Sequence, residues 1–185
     1  MSIVKLYHSG YLSIPKPDVH HGRKNADFGQ GFYMTDSLDF AVKWSRPRKG
    51  RTIHINCYEL DTEELNVLNL ERDEKWFESI HSNRHFMPDL FPEADVIIGP
   101  ISNDTIFDTM GILTSGHLSK AEVLPLMKIG PDYSQTVLKT DKASDRLKWM
   151  KTFTLSDDEA SKYDANRRKE GTEYLLRLSE AMDNL

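Results

Sequence analysis

Cysteine is nearly missing from this chain. Cys57 stands alone among 185 residues, which excludes an internal disulfide framework and any zinc site built from several cysteines. A lone thiol fits a reducing compartment, and inside an alternating segment it reads as a small buried side chain. No run of about 20 apolar residues exists, so nothing reads as a membrane span. The opening MSIVKLYHSG lacks the apolar core of roughly 7–15 residues that marks a secretion signal, so the expected location is cytoplasmic. Positive charge is not in excess either. Lys and Arg total 24 against 29 Asp and Glu, a formal charge of -5. That balance argues against bulk capture of nucleic acid or anionic lipid, but it leaves room for a local basic groove. The phosphate-cradling GxGxxG and Walker-type patterns, the metalloprotease HExxH and the hydrolase GxSxG are all absent.

What remains is an ordinary globular composition, 38% hydrophobic and 29% charged, in a length that suits one domain. There is no internal repeat and no low-complexity tract. Residues 3–7 (IVKLY) predict a short strand, and 11–30, with two prolines and no steady period, a long loop. Strands are expected at 31–35, 52–60, 66–70, 95–99, 134–140 and 152–155. Helices are expected after Asp36, which can cap Leu38, Ala41, Val42 and Ser45, and at 72–86, 103–115, 119–128 and 141–150. Ser119 and Glu122 have capping-box spacing, and Pro125 should kink or shorten that helix. From Asp157 the chain turns polar, with one helical stripe of Tyr174, Leu175, Leu178 and Met182 that could dock on the domain or on a partner. The expected class is therefore mixed α+β, with a main domain over 1–155 and a helical extension over 156–185.

Seven histidines offer little metal chemistry. His81 and His85 share a helix face at i, i+4, but the HExxH motif is absent. They read as a surface pair, and no metal is expected. Three short segments hold the chemistry instead: Leu6-Tyr7-His8-Ser9-Gly10, then Phe28-Gly29-Gln30-Gly31-Phe32-Tyr33-Met34-Thr35, then Ser134-Gln135-Thr136-Val137-Leu138. Each alone has a plain structural explanation: a satisfied histidine, a glycine turn before an aromatic strand, a solvated edge glutamine.

In their order, LYHSG, FGQGFYMTDSLDFAVKW and SQTVLK resemble the ADP-ribosyltransferase superfamily, in its His-Tyr-Glu branch of diphtheria toxin and the poly-ADP-ribose polymerases. GRKNADFGQGFYMT together with DVIIGPISND is similar to a bacterial family of single-domain, toxin-like proteins within that superfamily, often encoded beside a small partner gene. The resemblance covers residues 3 to about 150. It implies a split β-sheet core with peripheral helices, NAD as the substrate and no metal. It further implies transfer of ADP-ribose to a macromolecular acceptor, protein or nucleic acid, and a small antitoxin-like partner. His8 would hold a ribose of NAD, and the backbone of Ser9 or Gly10 would clamp the nicotinamide amide. Tyr33 would stack on the nicotinamide, with Phe32 packing behind it or Tyr7 helping. Gly29 and Gly31 would permit close backbone approach between Phe28 and Thr35. Arg23 and Lys24 would meet the pyrophosphate.

Two departures from the family pattern carry consequences. Gly-Ser after the histidine is inverted to Ser9-Gly10, which a backbone clamp tolerates. Gln135 replaces the glutamate, and a neutral amide can bond a ribose hydroxyl but cannot stabilise a cation by charge or act as a base. Asp104 is the expected substitute carboxylate, with Asp27 and Asp132 behind it, although Asn103-Asp104 equally fits a helix cap. Mono-transfer by a toxin or defence effector is thus the expected activity. The alternative is a weak or inactive module that binds NAD or ADP-ribose on the same fold.

Overall fold

The computed structural model describes residues 2–106 and 116–185. Within them the chain is α+β, built on two sheets. The first sheet is antiparallel, in the order β1 (Ile3–Gly10), β3 (His54–Asp61), β7 (Leu147–Thr154). The second runs β2 (Phe32–Met34), β6 (Ser134–Leu138), β5 (Val96–Pro100), β4 (Val67–Asn69), with only β4 and β5 parallel. The inner faces of the sheets meet in an apolar layer, where Leu6, Tyr58 and Leu60 pack against Phe32, Met34, Val96 and Leu138. Strand alternation dictates this. Phe32 and Met34 face the other sheet, while Tyr33 between them faces the opposite way.

Helices cover the outer faces. α2 (Glu74–Arg84) and α4 (Lys120–Met127) pack Trp76, Ile80 and Leu126 onto Ile97 and Val137 of the second sheet and onto Phe28 of the loop before β2. α1 (Leu38–Trp44) covers the first sheet with Val42 against Ile55. α3 (Asn103–Ile106) is one turn, and α5 (Asp141–Asp145) is little longer. α6 (Asp157–Met182) crosses the whole body. Its Ala160 joins the cluster over the first sheet, and its Tyr174 and Leu178 join the core of the second. Leu175 and Met182, expected on the same stripe, stay largely outside, at 49% and 37% exposure. α6 also grips α1: Lys43 Nζ lies 2.8 Å from Glu170 and donates to the Tyr133 hydroxyl at 2.9 Å.

Several boundaries differ from expectation. The first strand runs three residues further, to Gly10, because β3 continues beside it to His54. The cap of α1 is Ser37, whose hydroxyl accepts from the Phe40 amide, and not Asp36. The helix expected over 141–150 stops at Asp145. From Leu147 the chain is strand, because β3 offers a long edge and pairing captures residues whose local pattern allowed a helix. α4 ends two residues after Pro125, with the Ser119 amide donating to Glu122 at 2.7 Å. Of the helix expected over 103–115, all beyond residue 106 lies outside the described residues. The long 11–30 segment has no regular structure, but it is pinned to the first sheet. Asn56 takes the Ile14 amide at 2.9 Å and gives to the Leu12 carbonyl at 3.0 Å, and the Tyr58 hydroxyl gives to the Ile14 carbonyl. Among the described residues no helix is long and apolar enough to cross a membrane.

Candidate active site

The two sheets touch at one backbone bridge. Tyr7 N–H donates to the Thr35 carbonyl at 2.8 Å and Thr35 N–H to the Tyr7 carbonyl at 3.0 Å. Beyond Thr35 the chain turns away into α1, while β1 continues to Gly10, so the sheets part and a cleft of about 300 Å³ opens. Residues 7–10 form one wall and residues 33–35 a second. Ala41 and Trp44 of α1 form a third, with Tyr11, Arg46 and Arg48 at the rim. The first and second sequence segments are thereby brought into one site.

Antiparallel pairing orients the backbone of β1. Bonded and non-bonded pairs alternate along such a ladder. Tyr7 spends its amide and carbonyl on Thr35, so it is a non-bonded pair with Cys57. Two residues on, Ser9 stands opposite Ile55 in the same relation. The Ser9 N–H and C=O therefore both face away from β3, into the cleft: one donor and one acceptor side by side.

His8 lies beneath them. Its Nδ1 bonds the Tyr33 carbonyl at 2.7 Å, and its ring packs on Phe32 at 4.6 Å between centroids. A carbonyl only accepts, so Nδ1 carries the proton and the neutral ring presents Nε2 as an acceptor. Burial pushes the His8 pKa below its ordinary value of 6.5, against the opposing pull of the Tyr33 carbonyl. Tyr33 is held from both ends. Its hydroxyl donates to the Gly29 carbonyl at 2.7 Å and accepts from the Phe28 amide at 3.0 Å. Burial first, and the Asp27 carboxylate second, push its phenol pKa up. Phe32 is in the inter-sheet core and not on the cleft. The close approaches at Gly29 and Gly31 are made to protein. A Cβ on Gly31 would stand 2.5 Å from the Leu138 carbonyl, and Gly29, at φ +76°, sits against Asn83 and Lys139.

The third segment goes elsewhere. Gln135, 2% exposed, does not line the cleft; its Nε2 donates to Asp27 Oδ2 at 3.3 Å. Asp27 and Asp104 share one guanidinium. Arg84 donates to Asp27 Oδ1 through Nη2 at 2.7 Å and Nε at 3.0 Å, and to Asp104 Oδ2 through Nη1 at 2.7 Å. Ser102 adds its hydroxyl to Asp104 and its amide to Asp27. Burial works against the Arg84 charge, but the two carboxylates more than offset it and hold its pKa above the ordinary range. Asn103 ties the 129–131 turn through the Ile129 carbonyl at 2.8 Å, and Asp132 is exposed beside Arg72. Among the described residues, none that lines the cleft is a carboxylate. Lys24 lines a different recess with His20, Gln30 and Lys139, and Arg23 is exposed. Among the described residues the cations at the cleft are Arg46 and Arg48, which sequence reasoning missed, as it missed Tyr11 and Trp44. Trp44 had a signal, lying three residues after Ala41 on the helix that follows the aromatic strand. The arginines had none, since a basic loop looks alike wherever it is placed.

His81 and His85 stack at 4.2 Å, and among the described residues no group of three or more His, Cys, Asp or Glu gathers at one point.

Residues 4–149 match a family described as "Protein of unknown function (DUF3990)". The chain belongs to this family. No curated protein and no solved structure matches it. The matched span contains both cleft-forming segments, α1 with Trp44, and the Asp27–Arg84–Asp104 cluster. α6 lies beyond it.

Proposed function

We propose that the chain is an NAD-consuming mono-ADP-ribosyltransferase of the ADP-ribosyltransferase type, a toxin or defence effector with a macromolecular acceptor and a small neutralising partner. The paired donor and acceptor of Ser9 carry this reading. A primary carboxamide has the complementary pair, so nicotinamide can take the Ser9 N–H on its oxygen and give its own N–H to the Ser9 carbonyl, between the Tyr33 and Trp44 walls. About 300 Å³ suits the nicotinamide–ribose end of the dinucleotide, at the small end of the range of roughly 300–1,000 Å³ for ligand pockets. The pyrophosphate then crosses the rim at Arg46 and Arg48. His8 Nε2 accepts from a ribose hydroxyl. The two-sheet core split at this cleft is consistent with the same reading.

The reaction breaks the C1′–nitrogen bond, and nicotinamide leaves neutral with the bonding pair. A nucleophile on the acceptor forms the new bond to C1′, and its proton passes to solvent. Orientation in the cleft is the main resource, because among the described residues no carboxylate lines it to stabilise the oxocarbenium. Losing such a charge costs about 10²–10³ in rate, so turnover is slow. A second reading, a module that binds NAD or ADP-ribose without turnover, draws on the same observation: Gln135 is neutral, and Asp27 and Asp104 are committed to Arg84.

Nicotinamide release from labelled NAD, with and without cell lysate, tests both. The wild type should release nicotinamide, and His8→Ala, Tyr33→Ala and Trp44→Ala should each lower kcat/KM at least tenfold. NAD binding without release selects the binding module. Absence of both binding and release removes NAD from the account.

A further inference from the structure

The Ser45–Arg51 connection has a composition unlike the rest of this acidic chain. Between Phe40 and Tyr58 there is no Asp or Glu, while Lys43, Arg46, Arg48, Lys49 and Arg51 fall within nine residues. The loop is folded and not merely charged. Arg51 N–H donates to the Arg48 carbonyl at 3.0 Å, and Gly50 takes φ +73°, closing a tight turn that leaves Lys49 at its tip. Its base is fixed, since the Tyr11 hydroxyl donates to the Arg46 carbonyl at 2.6 Å and the Arg48 guanidinium sits 5.6 Å over the Tyr11 ring. α6 extends the same sign of charge. Pro47 shares a recess with Asp164 and Arg168, and just beside it Arg167 also bonds Asp164, so two guanidiniums at 2.7 and 2.8 Å meet this single carboxylate. This cationic ridge begins at the rim of the cleft, where Arg48 belongs to both.

We infer that the 46–51 turn with Arg168 is the docking surface for a nucleic-acid strand, whose phosphodiester backbone it grips so that the strand's reactive group reaches the mouth of the cleft. This rests on the proposed transfer reaction, for which it supplies the class of acceptor. A polyphosphate backbone suits the ridge because its cations, around one turn and on the neighbouring helix, outnumber the carboxylates beside them. Lys and Arg on phosphates give affinity without sequence preference. Tyr11, at the rim of the cleft, offers an aromatic side chain against which an unstacked base can lie. With a net charge of -5 the chain opposes bulk capture, so a strand is held by local cation density.

Fluorescence anisotropy with 20-nucleotide oligouridylate and oligothymidylate, titrated across salt, is the test. Lys49, Arg51 and Arg168 lie outside the cleft lining, so Lys49→Ala/Arg51→Ala/Arg168→Gln leaves that cleft untouched. The wild type should bind at least one of the two probes, more weakly as salt rises. The triple variant should bind at least tenfold more weakly, with the salt slope reduced by about 2, as expected for three lost phosphate contacts on a single strand. No binding by the wild type, equal binding by the triple variant, or equal retention of a poly-glutamate peptide, which would indicate an acidic protein partner, overturns the inference. NAD cleavage measured on the same two proteins separates the two proposals. Oligonucleotide binding without cleavage sinks the transferase reading alone. Cleavage with no oligonucleotide binding sinks the nucleic-acid surface alone.

Discussion

At the scale of single residues, His8 shows how a buried titratable group becomes a fixed acceptor. Its Nδ1 proton is committed to the Tyr33 carbonyl, and burial disfavours a second proton, so the folded pKa lies below 6.5. The sign of the stability effect follows. The unfolded chain takes up the proton first as pH falls, so stability declines from about pH 6.5 downward until the folded group also protonates. Above that range His8 contributes no pH dependence. The His8 ring proton followed by NMR should therefore titrate below 6.5, and His8→Gln should flatten the decline of unfolding free energy in that window. A midpoint at or above 6.5 would contradict the neutral-acceptor role. That a histidine in LYHSG carries chemistry could be suspected from its neighbours. Which nitrogen is presented could not, because a carbonyl 25 residues away decides it.

At the scale of elements, α6 is where local pattern and tertiary packing divide most clearly. Its stripe was legible as helical spacing, and Ser156 with Glu159 caps its start. Which stripe residues are buried was not legible. Tyr174 and Leu178 are 2% and 3% exposed, while Leu175 beside them faces out, because the helix meets a flat core at one angle only. Leu178→Ala should cost about 2–5 kcal/mol in urea unfolding, the range for a filled core position. A cost below about 1 kcal/mol, the level of ordinary surface changes, would mean that the helix end is not part of the core. β7 teaches the converse. Residues 147–150 have a pattern that admits a helix, and they became strand because β3 had an unfilled edge.

At the scale of the whole molecule, Arg84 joins what the sequence keeps far apart. It binds the loop before β2 through Asp27 and the start of α3 through Asp104, and Asp27 in turn receives Gln135 from β6. With side-chain exposures of 5%, 10% and 0%, Arg84, Asp27 and Asp104 form a buried charge cluster. Arg84→Met should destabilise by about 3–5 kcal/mol, because two carboxylates are left without their cation. Arg84→Lys should recover only part of this, since an ammonium cannot reproduce the fork. Chemical denaturation of the three proteins at one pH reads the difference. The sequence by itself determined the α+β class, most strand positions and the long loop over 11–30. These depend on alternation, turn chemistry and short-range spacing, which are local; that LYHSG and FGQGFYMT would form one site was implied only by the family resemblance. The tertiary structure alone decided that Gln135, Asp27 and Asp104 turn inward to Arg84, and that Trp44, Arg46 and Arg48 border the cleft. A side chain's partner across the fold depends on how whole sheets and helices stack, and no local pattern encodes that.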